Sequence, residues 1–286
     1  MRALEVTETV REALAEAREV LRVAGVADAH RESRHLWHAV TGRDPGVDLV
    51  RGDVAAEPVA AARLRELVTR RAGGEPLAYV TGTVGFRHLS LVSDRRALIP
   101  RPETEGLVEV ALQCTRSGVA ADIGTGSGAV ALSLKQEGGF SEVIGTDLSP
   151  AALELATLNA GRTGLSVTWL KGDLLAPLGG RQVDLLVSNP PYLTEAEYLA
   201  CDRSVRDYEP ESALVSGSDG MLATRRLFAD GAQLVAPGGW IAMEVDCSRA
   251  HTAARLAEAL GWVEVTVLDD LFGRARYLRA QLRKTR

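Results

Sequence analysis

The sequence has few cysteines, no long apolar run and no excess of positive charge. Its 286 residues include three cysteines, Cys114, Cys201 and Cys247, which are odd in number and far apart. This pattern argues against a disulfide framework, and it lacks the close spacing of a cysteine zinc site. We therefore expect free thiols and no bound metal.

Nothing in the sequence indicates a membrane segment or export. No stretch approaches the roughly 20 apolar residues that a membrane-spanning helix needs. The N-terminal stretch MRALEVTETVREALAEAREV carries acidic residues where a signal peptide would be continuously apolar. We expect a cytoplasmic, monomeric protein. Its net charge of −5 argues against a surface built to bind many phosphates, so DNA is not an expected partner.

The N-terminal part has the pattern of a small helical bundle. Hydrophobic residues make up 46% of the chain, as in an ordinary folded protein. Apolar positions recur at helical spacing over about 7–24, 29–41 and 57–72, and Gly and Pro clusters separate these stretches. We predict a helical domain over residues 1–75. Apolar and polar residues then alternate around Gly82 and Gly85, which predicts a β-hairpin connector over residues 76–100.

Residues 101–286 change to short apolar runs that alternate with helical stretches. The strand candidates are VAADIG, EVIGTDLS, VDLLVSNPPY and GGWIAMEVD. This alternation predicts an α/β fold with a largely parallel, doubly wound, Rossmann-like sheet. Ligands of such sheets bind beyond the carboxyl ends of the strands, so the residues that follow each strand are the candidates for a site.

A glycine-rich loop follows the first of these strands and precedes a helix. It consists of Gly124, Thr125, Gly126, Ser127 and Gly128. Glycines let the backbone approach a ligand closely, and the start of the helix offers N–H groups. The loop also fits the dinucleotide pattern G-x-G-x-x-A, so by itself it allows either NAD or an adenosyl ligand.

An aspartate just before the loop favours an adenosyl ligand over NAD, and two more aspartates follow the next two strands. Asp122 would repel a pyrophosphate but could pair with the ammonium of S-adenosylmethionine. Asp147 is placed to accept hydrogen bonds from ribose hydroxyls, and Asp173 could meet an adenine amine. The alternative for such an acid is a helix N-cap, although Ser149 and Pro150 could start the helix after Asp147 unaided.

The strand VDLLVS ends in Asn189, Pro190, Pro191 and Tyr192. The prolines stiffen the turn, and a backbone carbonyl together with the Asn189 side-chain oxygen can hold both hydrogens of an NH2 group. Tyr192 adds a flat face for a planar group or a sulfonium methyl. Such acceptors would orient a poorly nucleophilic amide or base amine for methylation. The alternative is a Pro-rich turn that only ends a strand.

Together these motifs resemble the class I S-adenosylmethionine-dependent methyltransferases of the NPPY group. More specifically, the chain is similar to the bacterial release factor glutamine methyltransferases known as HemK or PrmC. The similarity extends over nearly the whole chain through GEPLAYVTG, LIPRPETEGLVE, DIGTGSGAVAL, GTDLSPAALELATLNA, SNPPY, YEPESAL, GSDGM and DLFGRARY.

The resemblance implies a function and a set of site residues. The implied substrate is the glutamine of the Gly-Gly-Gln loop of class-1 peptide chain release factors, and the N-terminal domain would contribute to docking them. The implied cofactor, S-adenosylmethionine, would be enclosed by residues 124–128 with Asp147, Leu148, Asp173, Leu174 and Asn189. Residues 189–192 would hold the substrate amide, and the methyl transfer itself is assigned to Asn189, Pro190 and Tyr192.

The resemblance also places Arg101, Pro102 and Glu103 near the active site, where this segment would help to cover the cofactor. The same residues are typical of a helix start, with Pro102 in the first turn. The chain departs from the family pattern after Glu244, where Asp246 and Arg249 replace the commoner Gly and Gln. These departures concern the substrate side of the site.

Three alternative functions share some of these motifs. A ribosomal protein glutamine methyltransferase would have the same motifs. A DNA adenine N6-methyltransferase would use the same acceptors on a flipped base, but it would need a basic recognition region. A non-catalytic adaptor that binds a translation partner would not need Asn189 or the glycine loop.

Overall fold

The computed structural model describes residues 8–50 and 54–284. The chain divides into two units, Met1–Gly82 and Thr83–Arg286. Among the described residues, the first unit consists of helices and one isolated bridge between Thr9 and Ala55, whereas the second contains all the strands of the central sheet.

The N-terminal unit confirms the helices expected from the apolar spacing. Its helices are α1 (Val10–Val23), α2 (Ala29–Thr41), α3 (Pro45–Val50), α4 (Pro58–Ala72) and α5 (Leu77–Thr81). A capping box between Thr9 and Glu12 fixes the start of α1. The expected start at Thr7 lies outside the described residues. Leu21, Leu36 and Trp37 are fully buried and form the centre of this unit's core.

The hairpin is shorter than the alternating pattern predicted. It consists of β1 (Thr83–Phe86) and β2 (Leu89–Val92), whereas residues 77–81, expected to alternate as a strand, form α5. Pro76 is the N-cap of this helix, and Gly82 ends it with a φ of 76°, a left-handed conformation that glycine adopts readily. This short apolar run between Pro and Gly is compatible with either a strand or a helix, and in the structure it is a helix.

The second unit is the predicted α/β fold. Its remaining elements are α6 (Pro102–Cys114), β3 (Val119–Ile123), α7 (Ala129–Glu137), β4 (Glu142–Asp147), α8 (Pro150–Thr163), β5 (Thr168–Lys171), β6 (Val183–Ser188), α9 (Glu195–Leu199), α10 (Arg203–Arg206), α11 (Leu222–Leu234), β7 (Val235–Glu244), α12 (Ala250–Ala259), β8 (Trp262–Asp269) and β9 (Ala275–Leu282). The strand order is β5-β4-β3-β6-β7-β9-β8. Strands β3 to β7 are parallel, and β9 pairs antiparallel with both β7 and β8. All four strand candidates from the sequence, now β3, β4, β6 and β7, are confirmed.

The strand order places a switch point between β3 and β6. From β3 the chain continues to β4 and β5 on one side, and it then returns to β6 on the other side. A crevice forms at such a point beyond the carboxyl ends of the two strands. The Ser188 hydroxyl at the end of β6 donates to the Ile123 carbonyl at the end of β3, at 2.7 Å. This bond fixes the two strand ends side by side.

Two further expectations concern membrane-spanning helices and the state of the cysteines. Within residues 8–50 and 54–284, no helix is long and apolar enough to cross a membrane. The three cysteines are free thiols.

The close contact between β4 and β5 predicts a stability effect at one glycine. A Cβ on Gly145 would lie 2.3 Å from the Trp169 ring, whereas a Cβ on Gly161 in α8 would meet no atom within 4 Å. We expect Gly145→Ala to lower the free energy of unfolding by about 1–3 kcal/mol through overpacking. Gly161→Ala, the matched control, should raise it by about 0.5–1 kcal/mol because alanine is the better helix former. Urea unfolding followed by circular dichroism measures both, and equal stabilities for the two variants would contradict this packing.

Candidate active site

A cavity lies at the switch point and brings most of the predicted site residues together. Its volume is about 580 Å³. The predicted residues that line it are Gly124, Gly126, Asp147, Leu148, Asp173, Leu174, Asn189 and Pro191. The sequence predictions therefore converge on one crevice at the carboxyl edge of the sheet.

The glycine loop presents its backbone to this cavity. Gly124 and Gly126 have φ angles of 74° and 54°, in the left-handed region that favours glycine. A Cβ on Gly124 would meet no atom within 4 Å, and one on Gly126 only the Ala97 side chain at 3.9 Å. Thr125, Ser127 and Gly128 are buried behind them. The loop thus forms a cradle without side chains on the cavity side.

At least four of the five N–H groups of this loop, those of Gly124, Thr125, Gly126 and Gly128, donate hydrogen bonds within the protein. Gly124 and Thr125 both donate to the Thr146 carbonyl, at 2.9 and 2.8 Å, and Gly126 donates to Asp147 Oδ2 at 2.9 Å. A pyrophosphate site needs such N–H groups directed at the ligand. The arrangement therefore disfavours a dinucleotide, which the sequence motif alone had allowed.

Asp122 lies beneath the loop and is almost fully buried. Its Oδ2 accepts hydrogen bonds from the Thr125 hydroxyl at 2.6 Å and from the Ala131 N–H at 3.1 Å. Burial raises the pKa of Asp122 to about 7, although these two bonds oppose the shift. The carboxyl group joins the loop to the first turn of α7, and its expected contact with an ammonium group stays a prediction.

Asp147 is the last residue of β4 and lines the cavity, and its carboxylate accepts hydrogen bonds from two backbone N–H groups. Oδ2 accepts from Gly126, and Oδ1 accepts from the Ser149 N–H at 2.8 Å. Burial raises the pKa of Asp147, and these bonds oppose the shift. Ser149 itself caps α8 through the Ala152 N–H. The helix therefore does not depend on Asp147 as its N-cap, and each carboxylate oxygen keeps a lone pair for a ligand.

Asp173 and Leu174 form the turn after β5. Asp173 is exposed and makes an ion pair with Arg226 at 2.8 Å. Leu174 has a φ of 47°, which is uncommon for a branched side chain and typical of turns at functional sites. Its carbonyl accepts from the Thr146 hydroxyl at 3.0 Å, so β4 holds this turn at the cavity wall.

The turn after β6 is anchored at both ends. Asn189 donates from Nδ2 to the Thr104 hydroxyl at 3.0 Å. The N–H groups of Tyr192 and Leu193 donate to the Leu214 carbonyl at 3.1 and 2.8 Å. Pro190 is buried between them. Asn189 and Pro191 line the cavity, so the turn presents these two residues from a fixed backbone.

Tyr192 points away toward the end of β7. Its hydroxyl lies 3.4 Å from Glu244 Oε1, and burial raises its pKa. Its carbonyl leaves room only for a glycine at position 220, where a Cβ would lie 2.4 Å from that oxygen. These contacts describe a packed ring, and the stacking role predicted for Tyr192 stays a prediction.

The segment with Arg101, Pro102 and Glu103 supports the site from outside the cavity lining. Pro102 begins α6, as the helix-start alternative predicts. Arg101 makes an ion pair with Glu209 at 2.6 Å, and the Glu103 carbonyl accepts from the Tyr277 hydroxyl at 2.6 Å. The cavity lining includes the residues just before this segment, Arg96 to Leu98.

Sequence reasoning missed part of the cavity wall. The missed residues, beyond Arg96 to Leu98, are Ser149, Ala152, Pro210, Ser212, Ala213, Val215, Ser216, Leu222, Ala223 and Arg226. Most of them come from an irregular segment and the start of α11, which carry no periodic pattern. Glu244 was also missed as a site residue, although an acid at the end of the apolar strand WIAME is the same signal that identified Asp147.

The two departures from the family pattern interact with each other. Arg249 donates to both Glu197 carboxylate oxygens at 2.7 and 2.8 Å and to the Asp219 carbonyl at 2.8 Å. It also lies 3.2 Å from Asp246. Asp246 and Arg249 therefore link the end of β7 to α9 and to the loop before α11.

Among the described ranges, 8–50 and 54–284, no group of three or more His, Cys, Asp or Glu side chains has the arrangement of a metal site.

Comparisons with known proteins identify the family of this chain. The family model for the PrmC N-terminal domain matches residues 12–82, and that for the methyltransferase small domain matches residues 103–206. The chain is 42% identical over 275 residues to the release factor glutamine methyltransferase of Deinococcus radiodurans, covering 95% of this chain and 98% of that protein. It is 38% identical over 263 residues to the protein of the same name from Geobacter sulfurreducens, covering 92% and 93%.

Among solved structures, a methyltransferase from Pyrococcus furiosus matches with a TM-score of 0.52 and 20% identity, covering 70% of this chain and 91% of that one. This likeness shows a shared fold. The identity to the two bacterial proteins extends over nearly the whole length of each. The chain therefore belongs to the release factor glutamine methyltransferase family.

Proposed function

We propose that this protein transfers the methyl group of S-adenosylmethionine to the side-chain amide nitrogen of the glutamine in the Gly-Gly-Gln motif of class-1 peptide chain release factors. One observation carries the proposal: the glycine cradle and Asn189 line the same cavity at the switch point of the sheet. A methyl donor and an NH2 group held at these two places would meet. The family relationship supplies the class of substrate.

The cavity residues fit S-adenosylmethionine, which supplies an electrophilic methyl group on a sulfonium. Gly124 and Gly126 leave space for the adenosyl part, and Asp147 offers two oxygens to the ribose hydroxyls. Leu148, exposed at the cavity wall, offers an apolar face to adenine. Asp173 is assigned to the adenine amine, where it would share its carboxylate with Arg226.

Asn189 and the Pro190 carbonyl are assigned to the two hydrogens of the glutamine amide. An amide lone pair is delocalised, so nitrogen attacks only when it is oriented and its developing positive charge is stabilised. Two acceptors on the N–H bonds do both. As the new C–N bond forms, the S–CH3 bond breaks and its electron pair stays on sulfur. The amide nitrogen loses one proton to the solvent. The products are the methylated amide, S-adenosylhomocysteine and a proton.

We propose that the two parts of the chain have different roles. Residues 101–286 carry the methyl transfer, and the helical residues 1–75 contribute to release factor docking. A release factor substrate places the reaction in the cytoplasm, where translation takes place. Tyr192 is assigned to the substrate wall, together with the turn that holds it.

The substrate assignment predicts a selective methylation. We expect tritium from methyl-labelled S-adenosylmethionine to enter a class-1 release factor and to be absent from the same factor with its Gly-Gly-Gln glutamine replaced by alanine. Mass spectrometry should place one methyl group on that glutamine. Ribosomal proteins and duplex DNA are assayed in parallel. Label only in a ribosomal protein or only in DNA would overturn the release factor assignment.

The role of Asn189 predicts a loss of turnover without a loss of cofactor binding. Removal of one preorganised hydrogen-bond partner of a transition state costs on the order of 10²–10³-fold in turnover. We expect Asn189→Ala to show a loss of that size in single-turnover methylation, whereas calorimetry finds the S-adenosylmethionine Kd within about threefold of the original. A large rise in Kd instead would move Asn189 to the cofactor pocket.

The role of Asp147 predicts weaker cofactor binding, in contrast to the loss of turnover predicted for Asn189. A hydrogen bond to a charged group contributes about 1.5–3 kcal/mol, which corresponds to roughly a tenfold to hundredfold change in affinity. We expect Asp147→Ala to raise the S-adenosylmethionine Kd by that factor. Asp184→Ala is the matched control, since Asp184 accepts a backbone N–H from Val119 at the opposite end of the sheet. An unchanged Kd for Asp147→Ala would refute the ribose assignment.

A further inference from the structure

Asn189 is the first member of a hydrogen-bond chain that crosses three elements. Asn189 Nδ2 donates to Thr104 Oγ1 at 3.0 Å, and Thr104 Oγ1 donates to Glu244 Oε2 at 2.8 Å. Thr104 lies in the first turn of α6, and Glu244 is the last residue of β7. The side chains behind Asn189 are buried, with exposed fractions of 5% for Thr104 and 1% for Glu244. Water therefore does not compete for these bonds.

The order of donors and acceptors in this chain gives it a direction. While Glu244 is ionised, its carboxylate only accepts hydrogen bonds, and the hydroxyl proton of Thr104 then points to Glu244. The hydroxyl oxygen can then only accept from Asn189. An amide donates from nitrogen and accepts at oxygen, so Nδ2 faces Thr104 and Oδ1 faces the other way. Asn189 lines the cavity, and with Nδ2 held by Thr104 its Oδ1 is the amide atom left for a ligand there.

The orientation of this amide matters for the chemistry. The two ends of an Asn side chain have nearly the same size and shape, so packing alone selects weakly between the two flips. A glutamine NH2 group needs an acceptor and would meet only other hydrogens if Nδ2 faced it. Hydrogen-bond direction, not space, therefore decides whether Asn189 can hold the substrate.

Glu244 also anchors the other end of the turn. Its Oε1 accepts from the Tyr192 hydroxyl at 3.4 Å. Burial raises the pKa of Glu244, whereas the Thr104 bond and the charge of Arg276 oppose the shift. A carboxyl group in such a position is costly for folding and is typical of functional sites.

We propose that Thr104 and Glu244 are positioning residues that turn Asn189 Oδ1 toward the substrate amide by fixing the direction of the hydrogen bonds behind it. This inference rests on the proposed function, in which Asn189 holds the glutamine. The two residues need not touch the substrate. Their effect on the reaction passes through one rotation of the Asn189 amide.

Glu244→Gln tests the direction because it keeps the size of the side chain. A glutamine can donate to Thr104, the hydroxyl can then donate to Asn189 Oδ1, and Nδ2 turns toward the substrate. We expect a loss of turnover on the order of 10²-fold, close to that of Asn189→Ala. Binding of S-adenosylmethionine and the unfolding temperature should stay near their original values.

Thr104 provides a second test that does not depend on Glu244→Gln folding. Thr104→Val removes the hydroxyl at constant shape, and we expect at least a tenfold loss of the single-turnover rate with an unchanged Kd for S-adenosylmethionine. Thr104→Ser keeps the hydroxyl and should retain activity within about threefold. Thr168→Val is the matched control, because Thr168 donates to Glu142 at 3.0 Å at the amino ends of β5 and β4, opposite the strand ends that face the cavity. It should leave the rate unchanged.

A double variant distinguishes positioning from structural support. Thr104→Val in the Asn189→Ala background should cost little further activity, because the group that it positions is gone. Additive losses would overturn the inference, and so would wild-type rates for both Thr104→Val and Glu244→Gln. If those two variants were fully active while Asn189→Ala was inactive, the positioning chain would fail and the role of Asn189 would stand. A fully active Asn189→Ala would instead refute the proposed function of that residue.

Discussion

The pairing of β3 with β6 is the constraint on which the rest of the site depends. The glycine loop follows one of these strands and the Asn189 turn follows the other, so their register decides how far apart the two ligand positions lie. The Ser188 hydroxyl holds the strand ends together through the Ile123 carbonyl. Because the chain leaves β3 in one direction and returns to β6 from the other, neither connection covers the crevice. A cofactor and a substrate can therefore approach from different segments.

The neighbouring strand β4 determines what kind of ligand the glycine loop accepts. Its last residues, Thr146 and Asp147, take the N–H groups of Gly124, Thr125 and Gly126. In a phosphate-binding loop those groups would be directed at the ligand. Here these groups donate within the protein, while Asp147 adds acceptors that could bind hydroxyl groups. We propose that the same glycine pattern binds a nucleoside here because the neighbouring strand uses the N–H groups.

Much of the fold followed from local patterns in the sequence. Helices α2 and α4 were predicted within one residue at each end, because their apolar positions recur at helical spacing and Gly and Pro clusters separate the two stretches. The run at residues 77–81 was misassigned, since five residues are too few to distinguish a helix period from a strand period. The Asn189 hydrogen-bond chain was also missed. Thr104 lies 85 positions from Asn189 and 140 positions from Glu244 in the sequence, and only the folded sheet brings the three residues together.

The buried carboxylate of Glu244 is better explained by its effect on the orientation of the Asn189 amide than by a contribution to folding stability. Removing a charge from water costs several kcal/mol, and hydrogen bonds from Thr104 and Tyr192 offset only part of that cost. An apolar residue at the end of β7 would satisfy the packing of the sheet. What it could not provide is a group that only accepts hydrogen bonds, and such a group is what gives the chain to Asn189 its direction. The stability given up at this position is therefore consistent with the control of one amide rotation at the substrate.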